Sequence, residues 1–149
     1  MHLSKKSNTK LYNDALKKQA LNPIGLNKAI NITHSVEGYN ASCGDEITIH
    51  LELVDDNTRI NDIAFETESC AICRASASLL CQSVEGLTNE KVASITKQLQ
   101  IILKDTNLDN QIELSKLNLE LLSPISQFPS RVNCALLPWE TLIDVFSEK

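Results

Sequence analysis

The sequence predicts an α+β fold, a small three-stranded antiparallel sheet with helices packed mainly on one face. Three observations carry this reading. Strand-patterned segments follow one another in the first half of the chain, helix-patterned segments occupy the second half, and the strand–helix–strand alternation that a parallel sheet requires is absent.

Each element has its own signal. From about Thr9, residues Leu11, Tyr12, Ala15, Leu16 and Ala20 recur at three- and four-residue spacing, predicting a short amphipathic helix that ends before the turn Asn22-Pro23-Ile24-Gly25. Between Ala29 and Val36, the residues Ile30, Ile32, His34 and Val36 alternate with Asn31, Thr33 and Ser35, predicting a half-buried strand. His34 reads as a packed core or edge residue rather than a ligand. Glu37 to Asp45 reads as a loop, and Ile47, Ile49, Leu51 and Leu53 then alternate with Thr48, His50 and Glu52 in the clearest strand of the chain. Val54 to Thr58 makes a tight turn, and Ile60, Ile63 and Phe65 lead a third strand toward Thr67.

After Cys70 the small residues Ala71, Ala75, Ser76, Ala77 and Ser78 predict a helix able to approach a sheet closely. Asn89 to Leu103 forms an amphipathic helix through Val92, Ile95, Leu99 and Ile102, with Thr88 as its N-cap. Ile112 to Leu122 makes a short helix ended by Pro124, and Arg131 to Phe146 a closing one. Pro138 conflicts with that last helix, since it cannot donate to the carbonyl of Cys134 four residues back; the helix either starts later or kinks beside that cysteine.

With 149 residues and 42% hydrophobic content, the chain supports one core, read as a single domain over residues 9–149 behind a disordered tail at residues 1–8. A net charge of −5 argues against nucleic-acid or anionic-membrane partners. No apolar run approaches the roughly 20 residues of a spanning helix, and no apolar stretch follows the basic N-terminus, so the expected location is the cytoplasm. Five cysteines, an odd number, fit a disulfide framework badly and point instead to metal binding or thiol chemistry.

Three of those cysteines fall at element boundaries: Cys43 in a loop, Cys70 at a strand-to-helix junction and Cys134 near the start of the last helix. That placement suggests one shared site. Gly44, free to take positive φ, lets the Cys43 loop aim a side chain and move it, and Cys70 at a helix N-terminus gains thiolate character from the dipole. Asp45 adds a hard oxygen donor, and a Cys3Asp set suits four-coordinate Zn²⁺ or an iron–sulfur cluster. Cys70-Ala71-Ile72-Cys73 also matches a thioredoxin-type CxxC, but the βαβ context that reading needs is missing.

Cys43-Gly44-Asp45-Glu46, Cys70-Ala71-Ile72 with Ala75-Ser76-Ala77-Ser78, and Arg131-Val132-Asn133-Cys134-Ala135 with Trp139 together resemble the three signature blocks of the SufU/IscU family, related to the N-terminal part of NifU. The resemblance runs from about Leu11 to Phe146. It implies a SufU/IscU-like fold with Cys43, Asp45, Cys70 and Cys134 converging at one end. It also implies a role in iron–sulfur cluster assembly with a SufS-type, pyridoxal-phosphate cysteine desulfurase and other Suf components as partners.

The long interval between Cys70 and Cys134 is similar to the SufU type, whose insertion would lie within Leu108 to Phe128. Asn133 stands where SufU-like chains have Lys and IscU-like chains have His. Phe128-Pro129-Ser130-Arg131-Val132 replaces the chaperone-binding Leu-Pro-Pro-Val-Lys segment of IscU-like chains. Cys73 stands where Ser is usual; it could resolve a persulfide, exchange as a ligand or simply be a small buried residue, and the last is the expectation. Cys81 reads as core. Arg131 is either a surface cation or, as the resemblance favours, an accessory group near the thiolates.

The leading expectation is a zinc-dependent sulfurtransferase in which Cys43 accepts persulfide sulfur while Cys70, Cys134 and Asp45 stay as anchors. The alternatives are a scaffold that builds and passes on a transient [2Fe–2S] cluster, and a zinc-stabilised binding module without transfer activity.

Overall fold

The computed structural model describes residues 14–104 and 119–147. In chain order these form helix α1 (Asp14–Leu21), strands β1 (His34–Asn40), β2 (Asp45–Val54) and β3 (Arg59–Glu68), helices α2 (Ala71–Val84) and α3 (Asn89–Lys104), a 3-10 segment (Leu119–Gln127) and helix α4 (Pro129–Ser147). The sheet order is β1-β2-β3, antiparallel throughout. β2, the central strand, buries Ile47, Ile49, Leu51 and Leu53 on one face, while Glu46, Thr48, His50 and Glu52 line the opposite, more open face. The helices cover the apolar face, and one hydrophobic core joins them to the sheet. The tail expected at residues 1–8 and the start of the first helix at Thr9 lie outside the described residues.

Strands β2 and β3 lie where their alternation places them, and the turn between them holds Asp55, Asp56 and Asn57 in the left-handed region, at φ 56, 58 and 66. The first strand differs from expectation. Alternation predicts it over Ala29 to Val36, but β1 spans His34–Asn40 and takes in half of what reads as a loop. The reason is pairing. Val36, Gly38 and Asn40 meet Ile49, Ile47 and Asp45 across the ladder, whereas Ile32, 51% exposed, has left the sheet. His34 opens this edge strand half-buried, its Nδ1 2.9 Å from the Thr33 hydroxyl, as expected of a packed residue.

Among the helices, α2 buries Ala75, Ser76, Ala77 and Ser78, and α1 docks onto it through Arg74 Nε to the Ala20 carbonyl (3.0 Å) and Ser78 Oγ to Gln19 Oε1 (2.5 Å). Thr88 caps α3, its hydroxyl accepting from the Lys91 N–H at 3.3 Å. The helix expected over Ile112 to Leu122 lies largely outside the described residues. Beyond it, the chain forms a 3-10 segment that contains Pro124 rather than ending at it. Helix α4 begins at Pro129, where a proline costs no hydrogen bond, and is continuous through Pro138. Neither the late start nor a break beside Cys134 occurs; Pro138 is buried in the helix interior and the Cys134 carbonyl forgoes its N–H four residues on.

Two contacts set testable limits on this packing. A Cβ on Gly38 would fall 1.9 Å from Thr141 Oγ1, so at this point the Thr141 side chain of α4 packs directly on the β1 backbone. Gly38→Ala is expected to push α4 off the sheet and cost about 1–3 kcal/mol, read as a lower urea midpoint, with Thr141→Ala in the same chain recovering part of the loss. Cys81 is core, as expected, with its sulfur packed against Gly25 and its thiol pushed by burial from 9.0 up to about 12. Between these values the unfolded chain releases this proton and the native chain keeps it. Stability is therefore expected to fall as pH rises above about 9, by at most about 1.4 kcal/mol per pH unit for this group, and to be untouched by it below. Urea unfolding from about pH 8 to about pH 10 should show a shallower slope in Cys81→Ala.

Candidate metal centre

At one end of the sheet, where β1 turns into β2, three separate parts of the chain meet. Asn40 closes β1, and the Cys43 N–H donates to its carbonyl at 3.3 Å, forming the turn that carries Cys43 half-exposed. Gly44 takes φ +70 there with open space around it, a conformation that costs other residues about 1 kcal/mol or more. Asp45 then opens β2 on its core-facing side and is 0% exposed.

Asp45 is tied to the second part. Its Oδ1 accepts the Cys70 N–H at 2.9 Å, and its Oδ2 lies 3.9 Å from Cys70 Sγ. Cys70 is the N-cap of α2 with extended backbone (φ −71, ψ 168), and its own side chain makes no capping bond. A carboxylate from a neighbouring strand thus sits at the positive end of α2, which stabilises its charge. Helix α4 supplies the third part. Cys134 is fully buried, with its Sγ 3.0 Å from Cys43 Sγ and Asn40 Nδ2 reaching it at 3.9 Å.

Cys43, Asp45 and Cys134 offer donor atoms all within 4.8 Å of one another, and Cys70 joins at the edge through Asp45. Burial, reinforced by the Cys43 thiol and the Asp45 carboxylate, pushes the Cys134 thiol far up, so without a cation that sulfur keeps its proton. The donor chemistry fits a divalent metal. Tetrahedral zinc with Zn–S near 2.3 Å places two sulfur ligands about 3.8 Å apart and a sulfur and a carboxylate oxygen about 3.5 Å apart, so the Cys70 Sγ–Asp45 Oδ2 pair at 3.9 Å would draw in slightly. The Cys43–Cys134 pair stands closer than that and would open slightly around an ion. A buried carboxylate facing thiols is also the set that a cation both neutralises and deprotonates.

Cys73 is fully buried in the first turn of α2, and burial pushes its thiol up to about 12. It is a core residue at the back of the site. Arg131 is half-buried in the first turn of α4, one turn before Cys134. Asn133, beside Cys134, is exposed. Sequence reasoning missed Asn40, which reads as loop and carries no motif signal; only the β1–β2 register brings its amide to the Cys134 sulfur. It also missed that Asp45 holds α2.

The chain as a whole is similar to known proteins. The model of the NifU-like N-terminal domain family matches residues 12–135. The chain belongs to that family. Among relatives of this NifU-like chain, the iron–sulfur cluster assembly scaffold protein IscU of Thermotoga maritima is 35% identical over 132 residues, covering 89% of each chain. The zinc-dependent sulfurtransferase SufU of Bacillus subtilis is 33% identical over 133 residues, covering 89% of this chain and 86% of its own.

Of the solved structures, a NifU-like N-terminal protein from Brucella abortus superposes with a TM-score of 0.81 at 20% identity over 92% of both chains, a likeness of fold. A putative iron–sulfur cluster assembly scaffold protein for the SUF system from Fervidobacterium islandicum gives a TM-score of 0.75 at 27% identity, over 89% of this chain and 93% of its own. The three-stranded sheet with helices is therefore the NifU-like fold. Relatives of both names match at nearly equal identity, and much of the expected insertion at Leu108 to Phe128 lies outside the described residues. Among the described residues, no helix is long and apolar enough to cross a membrane.

Proposed function

We propose that this NifU-like protein works in iron–sulfur cluster assembly as a SufU-type sulfur acceptor, taking sulfane sulfur from a SufS-type cysteine desulfurase and supplying it to other Suf components in the cytoplasm. The observation that carries the reading is the unequal placement of the four donors. Cys134 and Asp45 are buried in regular elements and Cys70 caps a helix, while Cys43 alone sits on a turn. Cys43 can therefore leave and return without disturbing an element. Cys43, Asp45, Cys70 and Cys134 would hold Zn²⁺, which when bound supplies charge neutralisation and keeps its cysteine ligands as thiolates.

The Cys43 thiolate attacks the outer sulfur of the desulfurase persulfide. The new S–S bond forms on Cys43, the donor's S–S bond breaks, and the donor cysteine departs as thiolate, with no net oxidation. Asp45 keeps α2 and Cys70 in place through the 2.9 Å bond to the Cys70 N–H while Cys43 moves. Mixing the pure protein with a cognate desulfurase should raise its turnover and deposit sulfane sulfur on Cys43. No rise would overturn the reading, and it is also the result that a merely zinc-stabilised binding module would give.

The second reading is a scaffold on which the same four residues assemble a transient [2Fe–2S] cluster. The scaffold relative from Thermotoga maritima supports it. Anaerobic purification separates the two: tightly held zinc without a chromophore is expected for the sulfur acceptor, and visible iron–sulfur absorption for the scaffold.

A further inference from the structure

The contact between Cys43 and Cys134 is more than ligand spacing. Their sulfurs lie 3.0 Å apart, one on a half-exposed turn and the other fully buried beneath it in α4. We propose that Cys134 is a resolving thiol that reduces a Cys43 persulfide within the chain and releases the sulfur as sulfide. The inference rests on the reading that Cys43 carries the sulfane sulfur.

The step balances. As thiolate, the Cys134 sulfur attacks Cys43 Sγ, which it faces at 3.0 Å. The Cys43–Cys134 bond forms, the bond from Cys43 Sγ to the sulfane sulfur breaks, and that sulfur leaves as HS⁻. The sulfane sulfur gains two electrons, and the two cysteine sulfurs together lose them as they become a disulfide. A cellular dithiol then reduces that disulfide for the next round.

The geometry favours this pair over others. Displacement at sulfur needs the nucleophile opposite the leaving group. Cys134 approaches Cys43 from the protein interior, so the leaving sulfur points outward from the turn. Burial of Cys134 also keeps competing solvent thiols off the attacking sulfur. Asn40 Nδ2, 3.9 Å from Cys134 Sγ, holds that sulfur toward the turn, and the Cys43 Sγ in turn lies 3.9 Å from the Ser130 carbonyl of the same helix. Cys73 has no place in the step: it is fully buried in the first turn of α2, outside the cluster in which Cys43 and Cys134 face each other.

The test loads the full-length protein, as purified, with inorganic polysulfide, removes the excess by gel filtration, and follows free sulfide, cyanide-reactive sulfane sulfur and the disulfide map without added reductant. Roughly one sulfide per Cys43 persulfide is expected, together with a Cys43–Cys134 disulfide in the peptide map. Cys134→Ser should keep the persulfide on Cys43 and release sulfide about tenfold more slowly or worse, while Cys73→Ser should match the unaltered chain. A persistent Cys43 persulfide with no disulfide in the unaltered chain would overturn the proposal, whatever Cys134→Ser does to folding. A Cys70–Cys73 disulfide in its place would overturn it too. Because polysulfide bypasses the desulfurase, sulfide release here with no stimulation of a desulfurase would uphold this step while overturning the desulfurase-fed function proposed above.

Discussion

Cys43→Ser is expected to abolish sulfur acceptance and the stimulation of a cysteine desulfurase while leaving the protein folded. A serine hydroxyl is not ionised near neutral pH and does not attack a persulfide sulfur, so the loss should reach the detection limit rather than a fraction of the rate. The change falls on a half-exposed turn outside every regular element, so the chain should keep its fold. Two measurements check it: sulfane sulfur on the isolated chain after incubation with desulfurase and cysteine, and urea unfolding of the same preparation. Undiminished transfer in Cys43→Ser would sink the assignment of the acceptor. Cys73→Ser is the matched control, since it alters a fully buried thiol outside the proposed donor set.

The largest stability loss is expected at Trp139. The ring is fully buried in α4, and its Nε1–H donates to Ser76 Oγ of α2 at 3.1 Å, while that hydroxyl donates to the Ala135 carbonyl at 2.5 Å. One aromatic side chain thereby joins the two helices that carry Cys70 and Cys134. Trp139→Ala removes the ring and the donor together, for an expected cost of about 3–5 kcal/mol, enough to unfold much of a marginally stable domain. Trp139→Phe keeps most of the volume and drops only the donor, so it should cost less, about 1–3 kcal/mol, because the Ser76 hydroxyl keeps its bond to Ala135. Equal losses in the two variants would show that the hydrogen bond rather than the packing carries the effect.

Much of the site was legible because its residues are chemically conspicuous. Cys43 and Cys70 stand at element boundaries and Cys134 in the second turn of α4, and the boundaries themselves follow from hydrophobic period: two-residue alternation in β2 and β3, three- and four-residue spacing in α3 and α4. Thr88 could be read as a cap because capping is decided within a few residues. Where reading failed, the deciding interaction was distant in sequence. Ile30 and Ile32 alternate as well as any strand, yet β1 begins at His34 because β2 offers its ladder to residues 34–40. Pro138 argues against a helix on local grounds, and the packing of α4 against β1 and α2 overrides the lost hydrogen bond.

By itself, then, the sequence determined the fold class and the central strands, which depend on neighbours within one turn or one strand, and it put Cys43, Asp45, Cys70 and Cys134 forward as donors. Only the tertiary structure decided which sulfur faces which. Cys43 and Cys134 meet at 3.0 Å, and Asp45 turns out to hold the start of α2 as well as to face the thiols. Cys73 proves to be buried behind the centre, and Asn40 reaches the Cys134 sulfur from the end of β1. The physical reason is that these contacts join segments brought together by the shared core and the β1–β2 register, and neither periodicity nor spacing along the chain encodes a distance between them.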